Sequence, residues 1–151
     1  MTATAVREAR PDDLPRLAAI RAASLREAPP RLLDAAVRGV GLVLVATDPA
    51  AETDPAAEGV PIGYALAMRD GERVAYLAEL AVAPGHRRRG HGSALLSALL
   101  ARLADHEVLR LTTRADDDRA RSFYESAGFD LVRTLPDHYA DGDGVLYERN
   151  L

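Results

Sequence analysis

The 151-residue chain contains no cysteine. Disulfides, thiolate metal sites and an acyl-cysteine intermediate are thereby excluded. It contains no lysine either. All 19 basic residues are arginine, which, with the richness in alanine, reflects base composition. A phosphate loop of the form Gly-x-x-x-x-Gly-Lys-Ser/Thr therefore cannot be present. Hydrophobic residues make up 48% of the chain, yet no apolar run approaches the length of a membrane span. The N-terminus lacks the basic-then-apolar pattern of an export signal, so a cytoplasmic chain without membrane association is expected. His86, His91, His106 and His138 show no metal-ligand spacing, and no metal is expected. A net charge of −4 argues against general nucleic-acid binding. The length suits one domain, residues 1–151, with a full core.

Against these absences stands one concentrated signal, the run from Leu80 to Leu96. Leu80-Ala81-Val82-Ala83-Pro84 ends an apolar strand. Gly85-His86-Arg87-Arg88-Arg89-Gly90-His91-Gly92-Ser93 follows as a basic turn, and Ala94-Leu95-Leu96 opens a helix. Glycine lets a backbone approach an anion closely. The first N–H groups of a helix have no partner within it, and the helix dipole adds positive charge there. The turn is therefore read as a phosphate or pyrophosphate site. A dinucleotide fingerprint is excluded, because Leu95 stands where the third glycine of Gly-x-Gly-x-x-Gly should be.

The rest of the pattern alternates strands and helices. Val6–Glu8 is a first strand, and Asp12 or Asp13 caps a helix to about Leu25, with Leu14, Leu17, Ala18 and Arg21 at helical spacing. Pro29-Pro30 ends it, and a second helix reaches about Val37. Strands follow over residues 40–47, 61–68 and 73–82, the last two joined by a turn at Asp70-Gly71. The near-duplicate Asp48-Pro49-Ala50-Ala51-Glu52 and Asp54-Pro55-Ala56-Ala57-Glu58 marks a loop. Leu95, Leu96, Leu99, Leu100 and Leu103 form one helical face. A strand over 108–113, a helix over 119–127 closed by Gly128, and a final hairpin of 130–135 and 145–148 with a long acidic connection complete an α/β chain of mixed strands. Residues 116–148 carry nine acids against three arginines. This pairs an acidic end with the basic turn and suggests a cationic ligand opposite an anionic one.

Arg87-x-x-Gly90-x-Gly92 after a strand ending Val-Ala-Pro resembles the acetyl-CoA pyrophosphate motif of the GNAT superfamily of N-acetyltransferases. Phe123-Tyr124-Glu125-Ser126-Ala127-Gly128-Phe129 resembles the family's late signature, and Val6 to Leu14 its opening strand and helix. The resemblance covers nearly the whole chain. It implies a mixed central sheet with helices on both faces, whose fourth and fifth strands splay to admit the pantetheine arm. It further implies direct acetyl transfer from acetyl-CoA to a primary amine in a ternary complex. Leu80, Ala81 and Val82 would hold pantetheine through their backbone. Arg87, Arg88, Arg89, Gly90, His91, Gly92 and Ser93 would hold the pyrophosphate.

Two residues carry the chemistry in this reading. A lysine-like amine of pKa about 10.4 is almost wholly protonated at neutral pH, so a base is useful. Glu79, the only acid in the apolar strand Tyr76–Val82, is the candidate. The resemblance places Tyr124 beside the thioester sulfur as proton donor to the leaving thiolate. Two positions depart from relatives. Asp117 stands where many carry a pantetheine-contacting asparagine. Thr112 stands where the ribosomal-protein alanine acetyltransferases, which the second half resembles, carry a glutamate. The acceptor is open between a small molecule and a peptide N-terminus, as is a non-catalytic acyl-CoA-binding domain of the same fold. The oligomeric state is open as well, between a monomer and a homodimer.

Overall fold

The computed structural model describes residues 4–25, 31–47 and 59–151. The duplicated segment 48–58 and the Pro29-Pro30 break lie outside them. The element order is β1 (Ala5–Glu8), α1 (Leu14–Ser24), α2 (Leu32–Ala35), β2 (Leu42–Thr47), β3 (Pro61–Asp70), β4 (Val74–Val82), α3 (His91–Arg102), β5 (Val108–Arg114), α4 (Asp118–Ser126), β6 (Asp130–Tyr139) and β7 (Gly142–Asn150). These strands form one seven-stranded sheet in the order β1-β2-β3-β4-β5-β7-β6. Every pairing is antiparallel except β4 with β5.

Helices cover the sheet on both sides. Leu17 and Ile20 of α1 and Leu33 of α2 pack with Val43, Val45, Tyr64 and Leu66 on one face. Leu95, Leu96, Leu99 and Leu103 pack with Leu44, Ile62, Leu77, Leu109 and Leu111 on the other. The whole of β2 is buried for this reason, and its sequence, Leu-Val-Leu-Val-Ala-Thr, has no polar alternation. The leucine spacing read along α3 thus falls on its core face. Asp13 does not cap α1 forward. Its carboxylate accepts from the Arg10 N–H at 2.7 Å and from the Arg7 guanidinium, closing the preceding turn.

The parallel seam is the feature that matters for function. β4 and β5 pair at only three positions, Val74 with Val108, Ala75 with Leu109 and Tyr76 with Arg110. Past Tyr76 each strand is held by its outer neighbour alone: β4 by β3 as far as Val82 opposite Gly63, and β5 by β7 as far as Arg114 opposite Gly144. The fourth and fifth strands therefore splay. The register against β3 also slips, with Leu66 opposite Glu79 and Ala67 opposite Leu77, so Ala78 is an extra residue on β4. Such a bulge reverses the side-chain alternation. Ala75 and Leu77 face the α3 side, whereas Ala81 faces the α1 side.

The last hairpin differs from its sequence reading. The strands run on to Tyr139 and from Gly142, leaving the turn Ala140–Asp141 where a long acidic loop was expected. A register shift between Leu135 and Tyr139 and a left-handed Asp137 (φ 53) let β6 continue through Pro136. Proline is tolerated there because β6 is an edge strand.

Candidate active site in the splay

Opening β4 from β5 leaves a cavity of about 580 Å³. Leu77 to Val82 form one wall, Leu111 to Arg114 the other, and Tyr124 of α4 with His138 and Tyr139 of β6 complete it. Ser24 and Leu25, at the end of α1, lie over the opening. Leu80, Ala81 and Val82 pair with β3 on one side only. Their other edge is the unpaired strand edge that an extended amide-bearing chain can complete.

Glu79 is 3% exposed. The bulge at Ala78 turns it to the α1 side, where Oε1 accepts a hydrogen bond from the Tyr64 hydroxyl at 2.6 Å and lies 3.6 Å from Arg21 Nε. Its second oxygen, Oε2, is buried without a hydrogen-bond partner, and the residue lines the cavity. Burial pushes the carboxyl above the usual glutamate range, against the opposing pull of Tyr64 and Arg21. A carboxylate with one oxygen held and the other unpartnered has the form of a general base.

The basic turn begins after Pro84, where the strand's pairing ends with the Ala83 N–H donating to the Ile62 carbonyl at 2.7 Å. Arg88 (φ 63) and Gly90 (φ 85) are both left-handed, which folds the turn back on itself. The first helical bond runs from the Ala94 N–H to the Gly90 carbonyl. The N–H groups of His91, Gly92 and Ser93 thus have no partner within α3 and converge at its N-terminus. Arg88, Arg89, Gly90 and Ser93 are exposed. Two residues sit differently from the sequence reading. The His91 imidazole is buried against Thr4, Nδ1 to Oγ1 2.8 Å, so only its backbone faces the turn. The Arg87 guanidinium donates to the Val82 carbonyl and the Ser24 hydroxyl, both at 2.9 Å, bracing β4 against α1.

Tyr124 comes from α4. Asp117 caps that helix by accepting from the Ala120 N–H at 3.0 Å. Gly128 (φ 90) ends it, with the Phe129 N–H returning to the Tyr124 carbonyl at 3.0 Å. The Phe-Tyr-Glu-x-x-Gly-Phe signature is thus also packing. The Tyr124 ring meets Phe123 and Phe129 edge-on at 5.2 and 5.6 Å, and Glu125 Oε2 accepts from the buried Tyr147 hydroxyl at 3.2 Å. Burial, with the nearby Asp117 charge, holds the Tyr124 phenol above its ordinary pKa, so it keeps its proton as a donor.

The acidic end is largely engaged within the protein. Asp141 pairs with Arg114 at 2.8 Å, and Asp143 accepts from the Asp137 N–H at 2.8 Å. Arg114 lies beside Asp116 and under the Tyr139 ring as well. Thr112 and Thr113 supply hydroxyls where a carboxylate was absent from the sequence. Sequence reasoning missed Tyr64 and Arg21 as partners of Glu79. For Arg21 a signal existed, a charge on the helix face of Leu14, Leu17 and Ala18. For Tyr64 there was none, since the bulge that brings Glu79 to it has no mark in the sequence.

Known proteins share this fold. Ard1 from Thermoplasma volcanium superposes with a TM-score of 0.82 at 27% identity over 99% of this chain and 98% of its own. NAA60 of Arabidopsis thaliana in complex with acetyl-CoA gives 0.85 at 22% identity over 99% of both chains, a likeness of fold. A mycothiol acetyltransferase of Kineococcus radiotolerans is 42% identical over 80 residues, 52% of this chain. The chain spans about a quarter of that relative's length, 26%. The sequence profile of the acetyltransferase (GNAT) family matches residues 14–129, which include Glu79, the basic turn and Tyr124. The chain belongs to the acetyltransferase (GNAT) family.

Proposed function

We propose that the protein transfers an acetyl group from acetyl-CoA directly to a primary amine, small molecule or peptide, with both substrates in the splay at once. The observation that carries this reading is the cavity between β4 and β5, lined by Glu79 and Tyr124, whose β4 wall leads into the glycine turn and the free N–H groups that start α3. Acetyl-CoA supplies an activated acyl thioester. The unpaired edge of Leu80 to Val82 fits an extended pantetheine, and the His91 to Ser93 N–H groups with Arg88 and Arg89 fit its pyrophosphate. Glu79 takes the proton of the incoming ammonium on Oε2, leaving a neutral amine to attack. A β4 N–H near Val82 stabilises the carbonyl oxygen as charge develops there. Tyr124 gives its proton to the departing thiolate as the carbon–sulfur bond breaks, and the proton shed by the newly acylated nitrogen restores the phenol.

The test is release of free CoA thiol from acetyl-CoA with a panel of polyamines, amino sugars and short peptides with free N-termini. Relatives named mycothiol acetyltransferases place mycothiol-related amines on the same panel. The expected result is amine-dependent thiol release with matching acetylated product. Tight acetyl-CoA binding without turnover of any amine would instead identify an acyl-CoA-binding domain.

A further inference from the structure

We infer that Tyr64 is a positioning residue for the acetyl transfer, which with Arg21 clamps one oxygen of Glu79 so that the other alone faces the acceptor amine. The inference rests on the reading of Glu79 as base. Tyr64 is fully buried and does not line the cavity. Buried away from the cavity, it is placed to act through Glu79 and not on the reacting atoms. Its hydroxyl donates to Glu79 Oε1 at 2.6 Å from β3, the strand on the far side of the splay. Arg21 reaches the same oxygen from α1, 3.6 Å away. Both contacts of the carboxylate are thus to Oε1, and buried Oε2 is left without a hydrogen-bond partner in a residue that lines the cavity. The charged groups that share the cavity wall are Arg87, Arg114 and Asp117. Arg87 is turned to Val82 and Ser24, Arg114 to Asp116 and Asp141, and Asp117 to the α4 backbone.

Without the clamp two things change. The carboxyl gains rotational freedom about its last bond, so Oε2 is no longer fixed. It also loses donors that favour the ionised form, so it holds its proton to higher pH. Both effects leave acetyl-CoA untouched. Tyr64→Phe keeps the ring and its packing and removes only the oxygen.

The experiment follows the Glu79 carboxyl by carbon-13 NMR titration of the free protein, its resonance assigned by its loss in Glu79→Gln. Then kcat/KM is measured against pH with the amine that the panel shows to be turned over fastest. Tyr64→Phe should raise the Glu79 midpoint and the acid limb of kcat/KM together, by about one pH unit. It should lower kcat at neutral pH about tenfold or more and leave the calorimetric acetyl-CoA Kd unchanged. Arg21→Gln, at a partly exposed helix position, should move both midpoints the same way by less. It supplies the reading if Tyr64→Phe does not fold. If Glu79→Gln loses the acid limb but neither Tyr64→Phe nor Arg21→Gln moves it, Glu79 is the base and the clamp is refuted. If Glu79→Gln keeps the wild-type limb, the base assignment itself fails and the clamp falls with it.

Discussion

A carboxylate taken out of water loses solvation that two partners on one oxygen only partly restore. Glu79 is in that position, with Oε2 left open in a buried setting. Its folded pKa lies above the unfolded value because desolvation outweighs Tyr64 and Arg21. The folded state therefore binds its proton more tightly than the unfolded chain. The stability this adds is complete below the unfolded pKa of about 4.3 and is lost as pH rises through the folded value. At neutral pH an ionised Glu79 is thus a cost to the fold. Glu79→Gln should have a higher Tm than wild type at pH 7, with the difference shrinking below about pH 4, and much lower turnover. A lower Tm at pH 7 would mean that the Arg21 attraction outweighs desolvation. Tyr124 is the second residue to which the proposed reaction assigns chemistry. Tyr124→Phe keeps the edge-on packing against Phe123 and Phe129. It should lower kcat by about ten- to a thousandfold with acetyl-CoA affinity unchanged. Wild-type turnover in that variant would make Tyr124 a packing residue. That both residues would lie in one place was legible in the sequence, Glu79 as the one acid of an apolar strand and Tyr124 through its motif, and both line the cavity. Their surroundings were not, because a hydrogen bond from β3 across a bulge depends on register.

Among the elements, the turn between β4 and α3 can be dissected by backbone conformation. Gly90 has φ 85, and a Cβ there would meet nothing within 4 Å, so its requirement is conformational. Gly92 has an ordinary helical backbone, and a Cβ there would touch the Phe123 ring at 3.5 and 3.6 Å. That is ordinary van der Waals contact, so only a side chain longer than alanine's would press on the ring. Asparagine tolerates the left-handed region and β-branched residues do not. Gly90→Asn should therefore keep acetyl-CoA affinity near wild type, while Gly90→Val should weaken it sharply and cost roughly 1–2 kcal/mol of stability. Gly92→Val should also weaken binding, by displacing Phe123 and the start of α3. Calorimetric titration with acetyl-CoA separates the cases, and equal affinity in all three would remove the pyrophosphate site from this turn. The strand, turn and helix were plain in the sequence because glycine, proline and leucine spacing are local signals. That Arg87 would turn to Val82 and Ser24 was not, since its partner Ser24 lies 63 positions away. The lengths of β6 and β7 were underestimated for a similar reason. Gly142 and Gly144 read as loop residues, yet β7 needs no side chain there. A Cβ on Gly142 would meet Arg114 at 2.8 Å, and one on Gly144 would meet His138 at 3.1 Å.

At the scale of the whole molecule, the basic turn follows the end of β4 and the acidic hairpin pairs through Asp141 with Arg114 at the end of β5, one on each strand of the splay. This asymmetry was visible as a charge count, but its working is different from a field of open carboxylates. Asp141 and Asp116 balance Arg114, whose side chain is only 13% exposed and lines the cavity. In the proposed reaction a cationic amine approaching Glu79 would pass an arginine whose charge is cancelled locally. Asp141→Asn removes part of that cancellation without touching Glu79, Tyr124 or the basic turn. It should raise the KM of a cationic amine several-fold while changing kcat little, and added salt should shrink the difference, since partly exposed charges are screened over about 10 Å at 0.1 M. Asp137→Asn should do less, because only the backbone N–H of Asp137 is engaged, by Asp143. An uncharged acceptor analogue should show no change in either variant. If the KM of the cationic amine and its salt dependence both stayed at wild-type values in Asp141→Asn, the acidic hairpin would be ordinary surface. Selection for a cationic acceptor would then rest on Glu79 alone.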